Sequence, residues 1–152
     1  MIEFDISWER GPDFVFALGV NRELSSDDEA FRFEVWAEQL VAIGEAKREA
    51  DVASVMRIED GAGHLHLRAY LDQKARRLLL FSPNGESVAE LRLKSGKPLL
   101  RGGVRLTNKK GSLRLESMRI SHWDGVTPGK VEANRARVHR TNGTIEYGEL
   151  RS

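Results

Sequence analysis

The sequence predicts an all-β protein, an antiparallel β-sandwich followed by a C-terminal β-hairpin. Most of its 152 residues alternate between apolar and polar side chains, which is the pattern of a strand with one buried face. Turn-forming residues interrupt this alternation at intervals of about eight to twelve residues, as in sandwiches and barrels. No part of the chain alternates strands with long helices, so a parallel α/β sheet is not expected.

The first element is a strand that contains the stretch EFDISWE, Glu3 to Glu9. Alternation divides this strand into an apolar face and a polar, largely acidic face. The apolar face carries Ile2, Phe4, Ile6 and Trp8, and the other face carries Glu3, Asp5, Ser7 and Glu9. We expect Trp8 to lie in the core.

The following strands repeat this division. FVFALGV follows the turn at Gly11 and Pro12 and is almost wholly apolar. In FRFEVWA, the face opposite the phenylalanines carries Arg32, Glu34 and Trp36. In GHLHLRAYLD, the face opposite the leucines carries His64, His66, Arg68 and Tyr70.

Two hairpins are predicted further along the chain. RRLLLFS and SVAELRL are joined by the residues PNGE, 83–86, which are a strong hairpin signal. GGVRLTN and SLRLESMRISHW are joined through residues 108–111, and we expect these two strands to pair as well. In the last strand the apolar parity shifts between Leu115 and Met118, which predicts a β-bulge near Glu116 and Ser117.

Residues 27–53 allow a second interpretation, a helix. Residues 26–29 have the form of a helix-capping box, and several apolar residues downstream fall at helical spacing. Gly44 in the middle of the segment and the alternation of residues 31–36 favour strands instead, with a short helical turn around 46–51.

The chain divides into a sandwich domain at residues 1–124, a linker at 125–134 and a terminal hairpin at 135–152. The linker is rich in turn residues, and the hairpin surrounds Asn142 and Gly143. A lone hairpin is marginally stable in water, so it either docks on the sandwich or begins a further module. We expect the chain to be a piece of a longer, exported bacterial protein.

Composition and hydropathy exclude several kinds of structural feature. The chain has no cysteine, so disulfides and cysteine-ligated metals are excluded. No apolar stretch is long enough to span a bilayer, and no signal peptide precedes the first strand. Localisation is therefore not fixed by the sequence, and membrane insertion is not expected.

Charge is divided unevenly along the chain. Residues 1–63 hold 15 acidic and 6 basic residues, whereas residues 64–152 hold 8 acidic and 18 basic residues. We expect acidic strands to pair with basic strands within one fold. No nucleic-acid partner is predicted, because aromatic residues do not interleave with the basic ones.

Four stretches together resemble the concanavalin A-like lectin/glucanase superfamily: IEFDISWERGPDFVFALGV, FRFEVWAEQLVAIGE, LHLRAYLDQKARRLLLFSPNG and GGVRLTNKKGSLRLESMRISHWDG. The likeness is to its laminin-G-like and 3-keto-disaccharide hydrolase-like bacterial domains and covers about residues 1–124. It implies a jelly roll of two antiparallel sheets, one of them concave. The family's first strand has no counterpart before Ile2, which favours a longer parent protein.

The resemblance raises the question of catalysis on the first strand. Retaining glucanases of this superfamily carry a nucleophile, an assisting aspartate and an acid/base at successive positions of one strand face. Glu3 and Asp5 match the first two positions, but the third falls at Ser7, which cannot act as a carboxyl does. We therefore predict no catalytic residue. The alternative, an enzyme acting on a disaccharide or glucan, needs a carboxylate from another strand, for example Glu34 or Glu38.

The leading functional hypothesis is a non-catalytic module that binds a glycan or another extracellular partner on its concave face. Charged and imidazole groups hydrogen-bond sugar hydroxyls, and an aromatic ring supports the apolar face of a sugar. The predicted binding residues are Trp36, His64, His66, Arg68 and Tyr70, with Arg32 and Glu34 in support. A plain solvated face explains the same pattern, and a structural protein-interaction domain acting through the terminal hairpin is the remaining alternative.

No cofactor and no metal site are predicted. His64 and His66 share one strand face, but the sequence shows no third ligand near them. The acidic run at 27–29 lacks the loop form of a calcium site. The sequence does not define the oligomeric state.

Overall fold

The computed structural model describes residues 1–21, 31–46, 48–94, 102–129, 135–139 and 145–148. Its strands are β1 Ile2–Trp8, β2 Asp13–Val20, β3 Phe31–Trp36, β4 Gln39–Ala46, β5 Glu49–Arg57, β6 Gly63–Asp72, β7 Arg77–Phe81, β8 Ser87–Arg92, β9 Gly103–Lys110, β10 Leu113–Ile120, β11 Arg137–His139 and β12 Ile145–Tyr147. Within those ranges, no helix is long and apolar enough to cross a membrane.

The strands form two five-stranded antiparallel sheets. The first sheet has the order β10-β1-β6-β7-β8, and the second has the order β5-β4-β3-β2-β9. The two sheets pack face to face around one apolar cluster, so the predicted antiparallel β-sandwich is confirmed.

Aromatic rings join the two sheets at the centre of the sandwich. Phe4 of β1 meets Phe16 of β2 edge-on, with ring centroids 4.7 Å apart, and meets Phe33 of β3 at 5.4 Å. All three rings are fully buried. Trp8 also lies in this core, as its position on the apolar face of β1 predicts.

Strands, not a helix, occupy the described part of residues 27–53. β3, β4 and β5 cover most of it, and the predicted helical turn around 46–51 is wrong because β5 already begins at Glu49. Gly44 faces Phe31 so closely that an added Cβ would lie 2.8 Å from the ring. The glycine that disfavours a helix therefore makes room for a core phenylalanine. The predicted capping box, residues 26–29, lies outside the described residues.

The predicted hairpin of the ninth and tenth strands is wrong. β9 pairs with β2 in the second sheet, and β10 pairs with β1 in the first. The chain turns between the two sheets at Gly111, whose φ of +90° suits glycine. The bulge in β10 is confirmed, because the pairing shifts between Asp5 and Ile6, leaving Glu116 as the extra residue.

The charge imbalance is resolved by strand pairing. The acidic β1 lies between β6 and β10, which both belong to the basic part of the chain. Glu3 consequently faces Arg68 on one side and Arg119 on the other. The predicted pairing of acidic with basic strands is confirmed.

The C-terminal hairpin forms a separate two-stranded sheet of β11 and β12. Arg137 in β11 donates a hydrogen bond to the carbonyl oxygen of Asn84 at 3.0 Å, in the turn between β7 and β8. The predicted turn at Asn142 and Gly143, and residues 130–134 of the linker, lie outside the described residues.

Candidate functional site

The structure divides the predicted binding residues between two surfaces. His64, His66, Arg68 and Tyr70 lie on β6 of the first sheet, and Arg32, Glu34 and Trp36 lie on β3 of the second. Both sets alternate with core residues, so each points away from the core on its own side of the sandwich. The prediction that the two sets line one groove is therefore wrong.

On the first surface, the acidic side chains of β1 contact the basic side chains of β6. Arg68 donates from Nε to Glu3 Oε1 at 2.9 Å, and His66 Nε2 lies 3.2 Å from the same oxygen. His64 Nε2 lies 2.5 Å from Asp5 Oδ1. We call this surface, formed by the outward residues of β1 and β6, the paired face.

These contacts hold the Glu3 carboxyl in its charged form. Burial by itself raises its pKa, but hydrogen bonds and positive charge from Arg68 and His66 outweigh burial, and the pKa of Glu3 is lowered. A general acid in a glycosidase needs a raised pKa instead. At the third position of the row, Ser7 donates to Glu116 Oε1 at 2.5 Å, so the nearest additional carboxylate comes from the β10 bulge.

Tyr70 does not contribute an exposed ring to the paired face. It is 8% exposed and packs against Phe81 and Trp123, with ring centroids 5.4 Å from each. Burial raises the pKa of its hydroxyl. Tyr70 is therefore part of a small apolar cluster on the outside of the first sheet, and the prediction that it binds ligand is not supported.

On the second surface, the polar residues of β3 contact one another along the strand. Arg32 donates from Nε to Glu34 Oε1 at 2.5 Å and its Nη2 lies 2.7 Å from Glu45 Oε2. Trp36 donates from Nε1 to Glu34 Oε2 at 2.9 Å. The indole is nevertheless 48% exposed. We call this surface, centred on these three β3 residues, the tryptophan face.

Apolar side chains flank the charged row on both neighbouring strands. In the strand register, Glu34 lies between Val15 and Val41, and Arg32 lies between Ala17 and Ile43. These four residues point outward but are buried. Burial raises the pKa of Glu34, but the hydrogen bonds from Trp36 and Arg32 and the positive charges of Arg32 and Lys109 outweigh it and lower the pKa overall.

A further cleft lies away from both surfaces, at one end of the sandwich. It has a volume of about 590 Å³ and is bordered by the ends of β1, β6 and β10 and the start of β9, with Asp72, His122 and Trp123 among its lining residues. Asp72 accepts a hydrogen bond from the Ala75 amide, and Trp123 donates to the Val126 carbonyl. Local sequence patterns do not reveal this cleft, because its walls come from five separate segments of the chain.

A smaller cleft, of about 390 Å³, lies beside His64 and His66. It opens where β6 extends beyond the end of β7, since their pairing starts only at Arg68. Its other walls are apolar residues of β5 and β8. Within the described ranges, no three histidine or acidic residues are placed to hold one metal ion. The acidic run at 27–29 lies outside those ranges.

A comparison with protein-family models and a search of the curated proteins found no match to this sequence. The resemblance to concanavalin A-like domains therefore stays a prediction. The case for a function depends on the geometry of the two surfaces.

Proposed function

We propose that the protein is a non-catalytic module that binds a carbohydrate on its tryptophan face. The observation that carries this proposal is the state of Trp36. Its ring is half exposed, while its only polar atom is already hydrogen-bonded to Glu34. An aromatic ring that is held in place and half exposed suits stacking against the apolar face of a sugar.

The charged row behind Trp36 supports this role. Glu34 accepts a hydrogen bond from the indole and forms an ion pair with Arg32. Arg32 forms a second ion pair with Glu45 of the next strand. Because the ring is positioned before any ligand arrives, little side-chain entropy is lost on binding. The burial of the flanking apolar residues strengthens these ion pairs by limiting access of water.

Polar groups next to Trp36 can form hydrogen bonds with sugar hydroxyls. Gln39 is the cross-strand partner of Trp36, and its Oε1 accepts a hydrogen bond from Ser54 Oγ at 2.9 Å. The amide nitrogen of Gln39 is then oriented to donate. Arg57 and Glu38 form an exposed ion pair at 2.7 Å at the same end of the sheet. The surface therefore offers one stacking ring surrounded by donors and acceptors.

The enzymatic alternative is less well supported by the geometry. Glu34, a candidate for the missing carboxylate, lies in the second sheet, and Glu38, the other, lies in the turn between β3 and β4. Glu3 and Asp5 belong to the first sheet. Glu3 and Glu34 both have lowered pKa values, which keeps them ionised and unsuited to donating a proton at neutral pH. The resemblance to lectin-like domains agrees with binding.

A glycan array with the wild-type protein and two variants tests the proposal. We expect Trp36→Ala to reduce binding to any recognised glycan at least tenfold, because the stacking surface is removed. Val52→Ala is the matched control, since Val52 is similarly exposed on the outside of the same sheet and lies two strands away from β3. It should bind as the wild type does.

Two results would contradict the proposal. One is the absence of binding to every glycan by the folded wild-type protein. The other is a glycan signal that Trp36→Ala leaves unchanged, which would place the ligand on another surface, such as the end cleft.

A further inference from the structure

The strand β10 has an apolar row that the opposite sheet does not cover. Leu115, Met118 and Ile120 pair with Ile6, Phe4 and Ile2 of β1, so they point to the core side of the first sheet. Their partners in β1 are buried, but these three are 39%, 39% and 59% exposed. A core-facing row at the surface is unusual for a soluble domain.

The backbone of β10 is also open on one side. Ser121 and Met1 exchange both of their backbone hydrogen bonds, at 2.9 and 2.8 Å, so Ser121 directs its polar groups toward β1. Alternate residues of an antiparallel strand direct their amides to opposite sides. Met118 and Ile120 therefore direct theirs away from β1, to the side where the described residues place no further strand.

The outer side chains of this edge are basic. Arg114 and Arg119 lie on β10, opposite Ser7 and Glu3 of β1. The nearest described carboxylate to Arg114 is Glu116, at 3.9 Å. Arg119 lies opposite Glu3, which is already held by Arg68 and His66. This edge therefore carries positive charge that the described residues compensate only weakly.

The strand already paired with β10 indicates which sequence suits it. β1 alternates apolar residues, which join the core, with Glu3 and Asp5 on the outside. The free edge of β10 presents the same apolar and basic side chains to its other side. A second β10 fits poorly, because the antiparallel register that sets Leu115 of one copy opposite Met118 of the other also sets Arg114 opposite Arg119. Like charges directly opposite each other are destabilising.

We propose that the free edge of β10 binds an extended segment of a partner protein in which apolar and acidic residues alternate. The segment adds a strand to the first sheet by backbone hydrogen bonding. Its apolar residues cover Leu115, Met118 and Ile120, and its carboxylates face Arg114 and Arg119. This surface is separate from the tryptophan face and does not depend on carbohydrate binding.

Fluorescence anisotropy with two capped, labelled octapeptides tests the proposal. One peptide alternates valine with glutamate, and the other alternates valine with lysine. We expect the glutamate peptide to bind at least tenfold more tightly, and Arg114→Glu with Arg119→Glu to reverse this preference. Equal binding of the two peptides, or no binding of the glutamate peptide, would overturn the proposal.

A backbone variant distinguishes strand addition from simple charge attraction. Met118→Pro removes an amide that points away from β1, so it should preserve the sheet and abolish peptide binding. Met118→Val keeps the amide and is the matched control, with binding retained. Binding that survives in folded Met118→Pro would overturn strand addition. If Met118→Pro does not fold, the proposal is tested by the peptide preference of the variant with Arg114→Glu and Arg119→Glu.

Analytical ultracentrifugation without peptide tests whether a second copy of the chain occupies this edge instead. We expect the wild-type protein to show no self-association that depends on β10. A dimer that Arg114→Glu with Arg119→Glu alters would assign the edge to a second copy of the chain and overturn the proposal.

Discussion

On both the paired face and the tryptophan face, outward polar residues alternate with core residues along a strand. The two faces differ in the contacts that these outward residues make. On the paired face, polar side chains of β6 contact those of the adjacent β1, so charge is satisfied between strands. On the tryptophan face, Arg32, Glu34 and Trp36 contact one another along a single strand, and β4 adds the Glu45 carboxylate to Arg32. The reason is the neighbouring residues: β1 offers carboxylates to β6, whereas the residues of β2 and β4 directly opposite Arg32 and Glu34 are apolar.

This difference separates an aromatic residue that stabilises the fold from one that is available to a ligand. Tyr70 and Trp36 occupy equivalent outward positions in their strands. Tyr70 is covered by Trp123 from the segment after β10, whereas Trp36 is 48% exposed. Substitutions at these two aromatic residues and at their neighbours test this contrast.

Tyr70→Ala should lower the free energy of unfolding by about 3 kcal/mol, because it removes a buried ring from the cluster with Phe81 and Trp123. Trp36→Ala should change it by less than about 1 kcal/mol, since the Trp36 ring is half exposed. Urea denaturation measures both values. Similar losses in the two variants would remove the distinction between the faces.

Gly63→Ala should destabilise the core beneath the paired face by about 1–3 kcal/mol. An added Cβ at this position would lie 2.5 Å from the Trp8 ring, which cannot move without disturbing β1. Thermal unfolding measures the loss. Gly102→Ala is the matched control, because no atom lies within 4 Å of its added Cβ, and a comparable loss there would refute the steric explanation.

Glu3→Gln should reduce stability at neutral pH by about 1 kcal/mol, because it removes a charged partner of Arg68 and His66. The pKa of Glu3 is lowered from 4.5 in the folded protein, so its contribution is complete above that value and is lost as the pH falls through the folded pKa. The stabilities of the wild type and the variant should therefore converge in acid. Denaturation at several pH values checks this, and a constant difference down to the lowest pH would count against it.

Glu34→Gln should weaken glycan binding only a few-fold, because an amide oxygen still accepts one hydrogen bond but no longer holds both Arg32 and Trp36 as a carboxylate does. Titration calorimetry with the glycan identified on the array measures this. Glu90→Gln, which changes an ion-paired carboxylate of the first sheet, is the control and should bind normally. An equal loss in both variants would indicate a general charge effect.

Alternation in the sequence predicts which side of its own strand each residue occupies. It places Phe4, Phe33 and Trp8 in the core, and the parity shift in β10 predicts the bulge at Glu116. Alternation does not specify which sheet a strand joins. The strands β9 and β10 are adjacent in the chain, and only their pairing with β2 and β1 places them in different sheets. The single predicted groove is wrong for the same reason.

The environment of an outward residue is even less visible in the sequence. Tyr70 alternates with core residues as Trp36 does, and the sequence around Tyr70 does not predict its contact with Trp123. The end cleft likewise combines residues from five distant segments. Local patterns therefore predict the sandwich and its faces, while the accessibility of each face depends on contacts that are far apart in the chain.

The position of β1 also has a consequence for how the protein reaches its folded state. β1 precedes both of its neighbours in the chain, and its contacts with His66 and Glu116 join residues 63 and 109 positions apart. During translation it leaves the ribosome before either neighbour has been made, with an apolar row that has nothing to pack against. Glu3 and Asp5 interrupt that row, and acidic residues of this kind discourage premature association of hydrophobic strands. We expect the same carboxylates that later pair with β6 to keep the nascent strand soluble until β6 and β10 have been synthesised.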